Sequence, residues 1–117
     1  MLSNRPALLF LSLLVFIYLG YFNSSDAQGS IDSLKQVVRE TKKDSVRTLN
    51  YIKLSYSYYT ISTDSSLVYA LKGYELAKKM DHKIFIGAAL KELGRCYVYK
   101  LQYNLALHYF NQARSYK

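Results

Sequence analysis

Apolar residues are distributed along this chain in two ways. Over 7–19 they run almost unbroken (ALLFLSLLVFIYL), with no face left polar. From Ser30 onward they recur every three to four positions, the spacing of a helix with one buried face. A short first helix is expected over 31–41, its stripe made by Ile31, Leu34, Val37 and Val38, with Ser30 or Asp32 as cap. Asp44 is a good N-cap for a second helix over 45–61. The polar break Ser62-Thr63-Asp64 precedes a third over 65–80, capped by Asp64. Asp81-His82 separates it from a fourth over 83–100, and a turn at Gln102 opens a fifth that runs from Tyr103 to the end. Connections this short force neighbouring helices to lie antiparallel, so the pattern predicts an all-α row of helical hairpins.

The unbroken apolar run has a different meaning. Arg5 and the amino terminus put positive charge ahead of it, and the polar segment 23–28 follows. Ser25 and Ala27 supply small side chains three and one positions before a cut, which is what a signal peptidase requires. The expectation is a signal peptide over 1–27, cleaved after Ala27, and an exported, periplasmic or extracytoplasmic protein. The alternative is an uncleaved anchor: from Pro6 to Phe22 the apolar stretch has 17 residues, at the lower limit for spanning a bilayer. No cysteine lies near the cut, which excludes a lipid-modified terminus.

Composition narrows the class further. The chain has 117 residues, enough for one domain, and half of them are hydrophobic, too many for intrinsic disorder. One proline and five glycines are too few turn-formers for an all-β fold. The single Cys96 excludes an internal disulfide framework, and its place on a helix reads as a small buried residue. His82 and His108 lie far apart without metal-ligand spacing, so no metal or other cofactor is expected. No acid/base or nucleophile constellation appears, so no enzyme is expected. The net charge is +8, with 16 Lys+Arg against 8 Asp+Glu. The basic residues are spread along the chain, which speaks against nucleic acid, and the charge equally favours acidic partners or anionic lipid headgroups.

Self-similarity appears in the second half. The fourth and fifth helices read Leu90-x2-Leu93-Gly94-x2-Tyr97, then Ala106-x3-Phe110-x2-Ala113. The second and third repeat the theme as Tyr51-x2-Leu54-Ser55-x2-Tyr58, then Ser66-x3-Ala70-x2-Gly73. Tyr51 to Leu90 is an offset of 39 residues, and Ser66 to Ala106 one of 40. This pattern resembles the tetratricopeptide repeat, with Leu90 where that family often has Trp and a longer period than its usual 34. The resemblance implies a right-handed α-solenoid over 44–117 made of two hairpins, with 28–43 as a capping helix and lead-in. The small residues Gly94, Ala106, Ser55 and Ser66 are expected to let helices approach within a hairpin. Leu93, Tyr97, Phe110 and Tyr58 are expected to fill the groove between hairpins, and Gly94 and Ala106 to share a crossing.

Function, on this resemblance, lies in a concave groove lined by the first helix of each hairpin, which holds a peptide or protein. The faces that fit are Ile52, Tyr56 and Tyr59 on one helix and Lys91, Arg95, Val98 and Tyr99 on the other. Tyr56, Tyr59 and Tyr99 would anchor the partner, and Lys91 with Arg95 would grip a carboxylate. The alternative is a solvated helix face, on which Glu92 and Lys91 merely balance charge. Two units are few for an array, since each buries its face only against a neighbour. The chain is therefore expected to be part of a longer protein or to self-associate through its uncapped last helix. Bacterial tetratricopeptide proteins of this kind often continue into a membrane span and a histidine kinase or helix-turn-helix output domain. A truncated sensory region is thus the alternative to a free-standing interaction module.

Overall fold

The computed structural model describes the backbone of residues 5–116 and the side chains of residues 9–17 and 28–116. The proposed cut at Ser25 and Ala27 falls outside the described side chains, as do Pro6 and Lys117. Five helices follow one another: α1 (Arg5–Glu40), α2 (Asp44–Tyr58), α3 (Thr63–Lys79), α4 (Lys83–Tyr99) and α5 (Tyr103–Arg114), with no strand among the described residues. The chain divides into two compact units, Met1–Ser30 and Ile31–Lys117.

In the first unit the side chains of residues 9–17 are apolar apart from Ser12, and all are exposed, Phe16 by 78% and Leu9 by 73%. Among the described residues no helix is long and apolar enough to cross a membrane. The first helix is much longer than the 31–41 expected. Between residues 5 and 40 the only proline stands in the first turn, where a missing N–H breaks nothing, so no residue forces the helix to stop. Ser30 and Asp32 accordingly lie inside α1 rather than capping it.

In the second unit α2, α3, α4 and α5 begin at 44, 63, 83 and 103, so the first helices of the two hairpins are 39 residues apart and the second helices 40. Each of these helices packs on the next in sequence, and α2 also touches α4. The buried core gathers Ala70 and Ala77 of α3, Ile86, Leu90, Leu93 and Cys96 of α4, and Ala113 of α5. Burial of each such Leu or Ile contributes about 1.5–3 kcal/mol. Ile31 and Leu54, both fully buried, extend the apolar interior into α1 and α2.

Two of the expected caps move by one or two positions. Lys43, not Asp44, is the N-cap of α2, and it makes no side-chain cap bond. Asp44 instead opens the helix and pairs with Arg47 at 3.2 Å. A carboxylate there favours the positive end of the helix dipole without capping it. Ser62 rather than Asp64 caps α3, its Oγ accepting from the Ser65 N–H at 3.2 Å. Asp64 reaches across to Lys100 at 2.5 Å and ties the start of α3 to the end of α4.

The turns after α3 and α4 share one construction. His82 N–H donates to the Ala77 carbonyl and Asp81 N–H to that of Lys78; Gln102 donates to Tyr97 and Leu101 to Val98 in the same way. These are paired C-terminal capping bonds, which need a left-handed residue after the cap. Asp81 (φ 52°) and Leu101 (φ 60°) supply it, although neither is glycine.

Small residues mark the hairpin crossings, with one correction. In the first hairpin Ser66 Oγ donates to the Ser55 carbonyl at 2.7 Å, and the two side-chain oxygens lie 3.2 Å apart, so the small side chains meet directly. In the second, the nearest neighbour of Gly94 is not Ala106 but the Phe110 ring: a Cβ on Gly94 would lie 2.6 Å from that ring. Phe110 thus packs against Gly94 within its own hairpin. Tyr58 and Tyr97 likewise have partners within a hairpin. Tyr58 stacks on Tyr69 (5.6 Å, 9°) and Tyr97 on Tyr109 (5.4 Å, 5°), each pairing the two helices of one hairpin. These two stacks are related by the 39- and 40-residue offsets of the repeat. Leu93 does lie between hairpins, in the cluster with Ala70 and Ala77.

Candidate functional site

The expected groove residues come from α2, its end and α4, whose contact brings part of the set together. Tyr59 stands between Tyr56 and Tyr99: its ring meets Tyr56 edge-on at 5.2 Å and Tyr99 at 4.9 Å with a 54° tilt. Tyr56 is 57% exposed and Tyr99 50%, so the outer rings offer aromatic surface while Tyr59 is half-buried between them. Partial burial, with the hydrogen bond to Tyr56, raises the Tyr59 pKa, and the nearby Arg95 charge opposes the rise. The Tyr59 hydroxyl therefore stays neutral at physiological pH. A cluster of this kind presents rigid, amphipathic contact area, the residue type on which many binding surfaces are anchored.

The charged part of the site is arranged differently from the expectation. Arg95 Nη1 donates to Glu92 Oε1 at 2.6 Å, so its guanidinium is already engaged with a carboxylate of its own helix. Lys91 is exposed, and among the described residues it makes no ion pair, hydrogen bond or ring contact with the cluster. The structure therefore places Tyr56, Tyr59, Tyr99 and Arg95 in one neighbourhood and leaves Lys91 on the solvent side of α4.

Glu92 is the residue the sequence reading misplaced. It is buried, only 6% exposed, and its second oxygen, Oε2, has no hydrogen-bond partner. Desolvation pushes its carboxyl above the usual value, with Arg95 pulling in the opposite direction. Glu92 lies three residues after Ala89 and four before Cys96, both fully buried, and that spacing puts it on the inner face of α4.

The other chemistry-bearing residues have structural partners. Cys96 is fully buried, with Sγ 3.2 Å from Ser66 Oγ, and burial raises its thiol pKa. Such a thiol is held in its unreactive form. His82 Nδ1 caps α4 by accepting from Phe85 N–H at 3.3 Å, and the imidazole stacks on the Phe85 ring. His108 is exposed beside Gln112. No group of His, Cys, Asp and Glu among the described residues is arranged to hold a metal ion. The fold and this surface define a small all-helical protein with an exposed aromatic cluster shared by non-consecutive helices. Comparison with family models, curated proteins and solved structures finds no match for the chain.

Proposed function

We propose that this chain is an exported tetratricopeptide-like interaction module that takes a peptide or protein partner against the face shared by α2 and α4. The observation that carries the reading is the Tyr56–Tyr59–Tyr99 cluster: three contiguous rings, two of them about half exposed, drawn from first helices of successive hairpins. The equal spacing of helix starts supports the repeat. Since Arg95 is already paired with Glu92, recognition rests on the aromatic surface, and an acidic group of the partner shares Arg95 with that carboxylate.

Photo-crosslinking from position 99 in the producing cell tests the site. A discrete adduct with one other protein, lost in the Tyr56→Ala/Tyr59→Ala double variant, is the expected result. Adducts no different from those of a crosslinker placed at exposed Asn111 overturn it. Export is checked separately by sequencing the amino terminus of the secreted fraction, which should begin at Gln28; a retained Met1 refutes cleavage.

A further inference from the structure

Away from the tyrosine cluster, two contiguous hollows open between the end of α1, α2 and α3. Their volumes are about 620 Å³ and 490 Å³, and Tyr51 and Lys72 line both. No residue of the α2/α4 cluster lines either of them. The walls are basic: Lys35 and Arg39 from α1, Arg47 from α2, and Lys72 and Lys79 from α3, against a single carboxylate, Glu75.

Part of that charge is spoken for. Arg47 is held by Asp44 and by the Val38 and Thr41 carbonyls, where it ties α2 to the end of α1. Glu75 is held by Lys78 at 3.0 Å. Lys72 and Lys79 have no carboxylate partner among the described residues. Lys72 instead lies over the rings of Tyr51 and Tyr69, at 5.9 and 5.5 Å from their centroids. The rings orient the ammonium without cancelling its charge. A concave surface lined by one sign of charge focuses its field and concentrates anions.

The floor is apolar, with Leu71 and Leu76 in the larger hollow and Val38 in the smaller. An inorganic anion would leave that floor wet, and the joined volume far exceeds one phosphate or carboxylate. We propose that this cleft binds an acidic peptide segment whose carboxylates meet Lys72 and Lys79 and whose apolar or aromatic side chains cover the leucine floor. The site is separate from the face assigned to the partner above and stands whether or not that assignment holds.

The test uses the full chain and a fluorescent random copolymer of glutamate and tyrosine, titrated by anisotropy at low ionic strength. Lys72→Glu/Lys79→Glu should weaken binding at least about tenfold, while Lys53→Glu/Arg114→Glu, the same charge change on other surfaces, should alter it by less than about threefold. Should the first variant lose helicity by circular dichroism, Lys72→Gln/Lys79→Gln takes its place, with a loss of about threefold or more expected. Equal losses in the cleft and control variants would reduce the binding to net charge and overturn the proposal. So would polyglutamate binding as tightly as the copolymer, which leaves the floor unused, or displacement by millimolar inorganic phosphate. A preference for phosphatidylglycerol over phosphatidylcholine vesicles that depends on Lys72 and Lys79, with no effect on the copolymer, would assign the site to a membrane instead.

Discussion

Glu92 holds a carboxylate where water hardly reaches, with Arg95 on one oxygen and nothing on the other. Its pKa in the fold lies above the ordinary 4.5 because burial penalises the charge. Between those two values the native state keeps a proton that the unfolded chain has released. Stability attributable to this group is therefore complete below the unfolded pKa and declines as pH rises through the folded one. Melting temperature compared between the wild type and Glu92→Gln should show the wild type gaining on the variant as pH falls from 7 toward 4.5. A pH-independent difference would contradict the burial of this charge. Asp64 has the opposite sign, since Lys100 lowers its pKa and its contribution is lost only as pH falls through that lowered value. Leu101 is a second residue under constraint. Its φ of 60° is a left-handed conformation that costs a residue with a Cβ about 1–2 kcal/mol, and its side chain is 72% exposed. Leu101→Gly loses little packing and should stabilise the protein by about 1 kcal/mol in urea unfolding. Neither residue was legible beforehand: Glu92 looked like a surface charge, and nothing in leucine's chemistry announces a positive φ.

Helices were legible to within a few residues from α2 onward, because polar breaks interrupt a clear three-to-four periodicity. Caps were less so: Ser62 and Asp64 are both good capping residues, and only the backbone decides between them. The packing partner of Gly94 was likewise hidden, since Ala106 and Phe110 lie one turn apart on the same helix. That contact makes a quantitative prediction. Adding a methyl group at Gly94 gains about 1 kcal/mol of helix propensity but forces the Phe110 ring aside, an overpacking cost of about 1–3 kcal/mol. Gly94→Ala should thus be neutral to destabilising by about 2 kcal/mol, and Gly94→Leu more so. In a Phe110→Leu background the cost of Gly94→Ala should shrink or reverse, with a coupling of about 1 kcal/mol in the double-mutant cycle. Strictly additive effects would show that the ring and the glycine do not meet.

Across the whole second unit, the 39/40-residue interval was readable because small and large residues repeat at it, and helix starts obey the same interval. The basic cleft was not readable, because Arg39, Arg47 and Lys72 come from three helices and share no spacing. Among α2 to α5, contacts run from each helix to the next, and α2 also touches α4, so stability should be graded along the row. Helix α4 sits at the centre: it touches α2, α3 and α5 and buries Ile86, Leu90, Leu93 and Cys96. Helix α5 buries only Ala106 and Ala113 fully and leaves Tyr103 and Leu107 62% and 58% exposed. Local opening of α5 therefore forfeits little apolar burial, whereas opening α4 uncovers the core. Native-state hydrogen exchange should find α4 amides the most protected and those of α5 exchanging about 100-fold faster or more, through openings that leave α3 and α4 intact. Identical protection in α4 and α5 would mean that the four helices open as one body. The Phe110–Gly94 contact would then bind the last helix to its neighbour as firmly as the central core binds α3 to α4.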